Sequence, residues 1–203
     1  MKFVPELPKA LALAALAVLA VPAHLPAEAR PIDTGRSTVT IYAYKSGLFS
    51  LFADDHIIRA QLAGGSISEQ PPLSVEVAIH AAALTVLDPD LAADRRAEVQ
   101  TRMLGPEVLD VAKFPDITFA STTVEPTREN QWKVTGRLTI RGRTQVVTFT
   151  AVKQNGVYRG DVTIGQRDFG IQPISIVGGT VRVKNELKIR FEILPADAGA
   201  QAQ

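Results

Sequence analysis

The densest run of side chains able to do chemistry is Asp54-Asp55-His56. Two carboxylates and an imidazole can hold a divalent cation or move protons, so a metal-dependent hydrolase or isomerase is one reading of the chain. Adjacent residues on a strand face opposite sides, however, so the three converge only in a bent loop. A tetrahedral centre also wants a further ligand. Beyond His24 near the N-terminus, the other histidine is His80, which shares strand parity with Ser74 and Glu76 and therefore belongs to a wet face. A solvated turn cluster is the competing reading.

The rest of the chemical inventory is thin. No G-x-S-x-G elbow accompanies the serines, and no Gly-rich phosphate loop is present. Asp168-Phe169-Gly170 matches a kinase triplet, but the remainder of that set is missing; Arg167 beside Asp168 reads as a local ion pair or a mouth-lining group. The chain has no cysteine, which excludes disulfides, zinc–thiolate sites, iron–sulfur clusters and thiol nucleophiles. A formal net charge of +1 argues against a nucleic-acid partner, which needs concentrated Lys and Arg. No catalytic residue, metal or cofactor is assigned on these grounds.

Residues 1–29 read as a signal peptide. Lys2 and Lys9 flank the start, and residues 10–21 are an unbroken run of Ala, Leu and Val. Twelve helical residues rise roughly 18 Å, short of a bilayer core of about 30 Å. Ala27-Glu28-Ala29 offers a small-x-small cleavage site, with Val21-Pro22-Ala23 as the competing one and an uncleaved anchor helix as the alternative to both. Removing Lys2, Glu6, Lys9 and Glu28 leaves the charge balance unchanged. A periplasmic or secreted protein with no membrane span after cleavage is expected.

The mature chain must position whatever it binds with strands. From Val181 to Ile193 every odd residue except Asn185 is apolar and every even one charged, the period of two that one wet and one dry sheet face require. Trp132, Val134, Gly136, Leu138 and Ile140 form a second dry row. Leu73, Val75, Val77, Ile79, Ala81 and Ala83 form a third, and Val39, Ile41 and Ala43 a fourth. Alternation is looser over 116–124, 145–152 and 157–166, and weakest over 56–62. Arg141-Gly142-Arg143 and Gln154-Asn155-Gly156 are hairpin turns, and Gly64-Gly65 reads as a break between strands. About eight strands so connected close most economically into an antiparallel, lipocalin-like β-barrel, an all-β fold without exposed edges.

One helical insertion interrupts the meander. Asp88-Pro89-Asp90 is its start signal and Gly105-Pro106 its stop, with Ala92, Val99 and Met103 on one face. A short turn over 106–111 follows. The helix is either a lid at one barrel mouth or a connector outside the wall. The barrel domain is expected over 30–194, with a disordered tail over 195–203.

An eight-stranded barrel either fills its interior or leaves room for one ligand. Small residues on the dry rows (Ala43, Ala81, Ala83, Gly136, Ala151) favour the hollow case. The expected lining is Val75, Val77, Ile79, Phe119, Val134, Leu138, Val162, Ile164, Leu187 and Ile189, with Phe49, Phe52 and Phe169 at the ends. Burying hydrocarbon gains about 0.8 kcal/mol per CH₂, so a prenyl tail of several units would bind without polar contacts.

Four segments resemble the YceI-like family of exported lipid-binding barrels. They are Tyr44-Lys45-Ser46-Gly47-Leu48-Phe49 with Asp55-His56; residues 112–122, which include Lys113-Phe114-Pro115-Asp116; residues 136–144; and Asp168-Phe169-Gly170-Ile171. Their order and spacing span about 37–193. The resemblance implies a barrel enclosing a polyisoprenoid or similar long-chain lipid, without catalysis. Such a protein would carry or sequester its ligand, and a homodimer is compatible with it. Relatives often carry Gly-His-Asp-His where this chain has Ala53-Asp54-Asp55-His56, so a histidine-pair function does not transfer. An interaction module using the charged outer faces is a third reading.

Overall fold

The structure, a computed structural model, describes residues 29–46, 55–176 and 181–197. Eight long strands follow the alternation read above: β2 (Thr38–Ser46), β3 (His56–Ser68), β4 (Ser74–Val86), β5 (Asp116–Arg128), β6 (Gln131–Ile140), β7 (Arg143–Gln154), β8 (Val157–Gly165) and β10 (Val181–Ile193). Two short ones, β1 (Arg30–Pro31) and β9 (Ser175–Ile176), pair on β3 and β10. All pairings are antiparallel. The order β3-β2-β10-β8-β7-β6-β5-β4 closes on itself through a β3–β4 pairing, so the eight long strands make a closed barrel.

Two hairpins have the geometry that the sequence demands. Arg141 and Gly142 (φ 51° and 68°) join β6 to β7, and Asn155 and Gly156 (φ 50° and 80°) join β7 to β8. Both central residues lie at positive φ, whose local twist matches that of the flanking strands.

Three sequence expectations are corrected along β3 and β4. The segment from His56 is not a weak strand but the start of a thirteen-residue one, which runs straight through Gly64-Gly65. The glycines mark a close approach rather than a break: a Cβ on Gly65 would sit 2.8 Å from Ile32 Cδ1 and 3.1 Å from Val77 Cα. The dry row of β4 also does not continue to Ala83. A register shift between the Ala60↔Leu84 and Leu62↔Ile79 pairs changes its parity, and Leu84 and Val86 turn inward instead.

The helix α1 (Ala93–Leu104) is shorter than its signals suggested. It starts after Ala92, which makes no side-chain cap and is not on the apolar face. Asp88 does not cap it because its carboxylate is taken elsewhere, by His56 Nδ1 and the backbone N–H of Ile57, each at 2.6 Å. The Gly105 stop holds, since its N–H donates to the carbonyls of Thr101 and Arg102. A lid rather than an external connector results. Val99 and Met103 face the barrel interior, joined by Val108 and Leu109 of the following turn. Gln100 fixes the helix to the rim of β4, accepting from Val86 N–H and donating to Leu84 C=O, both at 2.8 Å. Its amide supplies the pairing that a strand neighbour would.

At the opposite end, β1 and the chain after β10 cross the barrel foot. Ile32 bridges to Pro195, and Ala196 N–H donates to Pro31 C=O at 2.8 Å.

Candidate functional site: the barrel lumen

The dry rows enclose a cavity of about 970 Å³, at the upper end of the ~300–1,000 Å³ usual for ligand sites. Every residue expected to line it that lies among the described residues does so. Val75, Val77 and Ile79 come from β4, Phe119 from β5, and Val134 and Leu138 from β6. Val162 and Ile164 come from β8, Leu187 and Ile189 from β10, and Phe169 from a 3₁₀ turn (Gln166–Phe169) below one mouth. Phe49, Phe52 and Asp54 lie outside the described residues.

The accessibility of these side chains shows that the interior is hollow. Val77, Phe119, Val162, Leu187, Ile189 and Phe191 all point inward, yet each is only partly buried. In a filled barrel such positions would be closed over by one another at crystal-like density. Here they face open volume. Of the small residues expected on the wall, Ala43 and Ala151 line the cavity. Ala81 is 1% exposed against the wall itself, and Gly136 lies under the Phe119 ring.

Three phenylalanines form a contiguous aromatic patch on the lumen wall. Phe119 and Phe149 have ring centroids 5.5 Å apart, and Phe149 and Phe191 5.2 Å with edge-on geometry. Ile117, Val147 and Phe149 are lining residues that the looser alternation of their strands hid, Leu84 is one that the register shift of β4 hid, and Phe191 continues the dry row of β10 into the same lining.

The two ends differ in polarity. At the foot, Glu69 accepts from Lys153 Nζ and Tyr158 Oη at 2.6 Å and from Arg30 Nη1 at 3.0 Å. The Lys153 and Tyr158 hydrogen bonds hold its carboxyl down at about 2, against the opposing effect of burial. Burial, with the Glu69 carboxylate second, pushes the Tyr158 phenol up. Trp132 packs against Tyr158 at 5.6 Å and lines the same end. Composition alone could not reveal this cluster, because Glu69 belongs to a turn. A clue lay in Lys153, a cation that continues the inward parity of Val147, Phe149 and Ala151.

At the helix end, Lys45, His56, Arg95, Glu98, Arg102, Gln166 and Arg182 line the mouth. His56 is fixed through Nδ1 by Asp88, whose side chain is only 3% exposed. Asp55 turns away to accept from the Lys45 backbone N–H at 2.8 Å. The expected trio is thus divided: Asp55 and His56 serve different partners. Among the described residues no group of three or more His, Asp and Glu side chains is arranged to hold a metal. His80 is exposed and pairs with Asp116 on the outer surface. Arg167 and Asp168 are exposed and neither lines the cavity; Arg167 N–H donates to Asn185 Oδ1 and Asp168 C=O accepts from Gln145 instead. Among the described residues no helix is long and apolar enough to cross a membrane.

Comparison with known proteins agrees with this architecture. A UPF0312 protein of Pseudomonas fluorescens is 36% identical over 86 residues, 37% of this chain and 45% of its own length. A UPF0312 protein of Pseudomonas syringae pv. tomato is 36% identical over 106 residues, covering 47% and 53%. The chain spans about half the length of the curated relatives it matches. The crystal structure of Burkholderia cenocepacia BcnA superposes with a TM-score of 0.62 at 20% identity, over 80% of this chain and 98% of that one, and so shares the fold. The family model described as the YceI-like domain matches residues 31–194, nearly the whole barrel. The chain belongs to the YceI-like family.

Proposed function

We propose that the protein is an exported carrier or sequestering protein for a long apolar amphiphile, a polyisoprenoid or a similar lipid, held inside the barrel. One observation carries the reading: a large apolar cavity, several of whose lining side chains the protein itself leaves only partly buried. Unfilled apolar surface of this extent is stabilised by a guest, at about 0.8 kcal/mol per buried CH₂. A five-carbon unit then contributes a few kcal/mol, and several units suffice for tight binding without a specific polar contact.

The leader-like residues 1–29 support export, to the periplasm or outside the cell. The lining of the cavity among the described residues is mostly apolar, which supports a binding role.

Extraction of carefully purified protein with organic solvent, followed by mass spectrometry, tests this. Recovery of a long-chain lipid near one per protein is expected. A lipid-free extract, together with no uptake of polyprenyl probes, overturns the carrier reading.

A further inference from the structure

We infer that the seam between β7 and β8 is a lateral portal, through which a slender hydrocarbon chain enters and leaves the lumen. This rests on the carrier reading and adds to it a route.

β7 is fully paired on one side and barely paired on the other. Its ladder with β6 runs the length of the hairpin, from Gln131↔Val152 to Ile140↔Arg143. Toward β8 the ladder holds only Val152↔Arg159, Lys153↔Tyr158 and Gln154↔Val157, next to the turn. Among the described residues no other two neighbouring long strands share so short a ladder. The Thr150 carbonyl oxygen still lies against Gly160, but beyond it no residue of 143–149 pairs with any of 161–165. The far end is clipped again, where Gln145 Nε2 donates to the Asp168 carbonyl at 2.8 Å. The unpaired stretch is therefore bounded. Its lips are Val146 to Phe149 and Asp161 to Ile164, each roughly 10 Å long at the usual strand rise.

The two lips belong to separately stitched sheets. Hydroxyl hydrogen bonds from Thr135 to Thr148 and from Thr139 to Thr144, at 3.0 and 2.8 Å, reinforce the β6–β7 ladder. β8 is held to β10 from Tyr158↔Ile193 to Gly165↔Glu186, and Asp161 meets Arg190 at 3.1 Å and Lys188 at 3.8 Å. Opening the wall within either sheet breaks ladder pairs, whereas parting the lips breaks none. Local opening follows the segments with the fewest such ties.

The lips also suit hydrocarbon. Val147, Phe149, Val162 and Ile164 line the cavity just inside the seam. On its outer side Val146 is 70% exposed, the most exposed large apolar side chain among the described residues. A chain in transit meets apolar groups on both sides of the wall. The barrel ends are the harder way in. Val99, Met103, Val108 and Leu109 cover one, and the Ile32–Pro195 bridge crosses the other.

The cysteine-free chain allows a direct test. Thr148→Cys with Thr163→Cys puts one thiol on the exposed face of each lip, to be joined by a short bismaleimide in delipidated full-length protein. Thr139→Cys with Thr144→Cys, joined in the same way, spans the complete β6–β7 ladder and serves as control. Uptake and release of cis-parinaric acid are followed by its fluorescence in stopped flow.

The seam link should slow both rates by about tenfold or more, as closure of a gate does, with equilibrium affinity unchanged. The control link should leave the rates as they are. Val146→Asp, a surface change that should not disturb folding, should also slow uptake, because the chain must then pass a charge. Wild-type rates in the seam-linked protein or in Val146→Asp overturn the portal, as does equal slowing by both links. If the probe does not bind at all, the inference fails, while lipid recovered by solvent extraction would leave the carrier reading standing.

Discussion

The ring of Phe119 occupies the space that a side chain at position 136 would take. A Cβ on Gly136 would lie 2.6 Å from Phe119 Cε2 and 2.6 Å from the Ala120 carbonyl oxygen. Gly160 stands in the same relation to Phe191, whose Cζ would be 2.5 Å from an added Cβ. The two glycines therefore act as docking hollows in the wall. They let two large rings lie flat on the sheet, and Phe149 bridges them. Most of the lumen is left open as a result.

Gly136→Ala should accordingly destabilise the barrel by about 1–3 kcal/mol, the usual cost of overpacking. Chemical denaturation of the wild type and the variant measures this. Combining the substitution with Phe119→Leu should recover part of the loss, because the shorter side chain can vacate the hollow while the Ala120 backbone cannot. An additive double mutant would show that ring and glycine do not share one space.

Neighbouring residues on β10 should respond in opposite ways. Leu187 faces the lumen, whereas Lys188 lies on the outer face within 3.8 Å of Asp161. Leu187→Asp puts an unpaired charge in an apolar interior and should abolish folding or lipid uptake. Lys188→Asp loses one surface ion pair and should cost under about 1 kcal/mol. Soluble yield and thermal melting read both, and equal sensitivity would mean that the strand parity is inverted.

The same parity explains what could be read from the chain before its fold was known. Ten expected lining residues on strands face the cavity, because a period of two leaves only the choice of face, and one face is dry. The readings that failed lie where an inserted residue breaks the period. After Ala81 a bulge exchanges the faces of β4, so Leu84 lines the lumen and Ala83 does not. On β10 the shift between Val183 and Leu187 spans an even number of residues, so parity survives and Asn185 is freed to bind Arg167 N–H. Asp88 reads locally as a helix cap because Pro89 follows it. Its partner, His56, is 32 residues away and only the closed barrel brings them together. Long-range polar pairs of this kind, Glu69 with Tyr158 among them, leave no periodic trace.

Gln100 supplies a local test of the lid. Its side-chain amide substitutes for a β-neighbour at the end of β4 through Val86 N–H and Leu84 C=O. Gln100→Leu keeps the approximate volume but leaves both backbone groups without that partner, at about 1–3 kcal/mol. Amide hydrogen exchange should accelerate at Val86 and through α1 while the β6–β7 hairpin stays protected. Lipid exchange should quicken in parallel if the helix controls the mouth; unchanged protection at Val86 would show that the helix is held by its apolar face alone.

The foot of the barrel should loosen in acid through Glu69. The carboxyl sits at about 2 in the folded protein and at 4.5 in the absence of its partners. A group lowered on folding contributes stability that is complete above the unfolded value and is lost as pH falls toward the folded one. The window is thus about pH 5 to 2. Glu69→Gln keeps one acceptor and removes the charge, so it should cost about 1–2 kcal/mol at pH 7, after allowing for the solvent that reaches this end. Between pH 5 and 2 the wild type should lose stability faster than the variant, and the two melting temperatures should converge. Because Glu69 also tethers Arg30, whose Nη2 donates to Ala196 C=O at 2.8 Å, proteolysis at both chain ends should increase over the same range. Parallel pH profiles for wild type and Glu69→Gln would mean that the three donors stabilise the foot without regard to the carboxylate's charge.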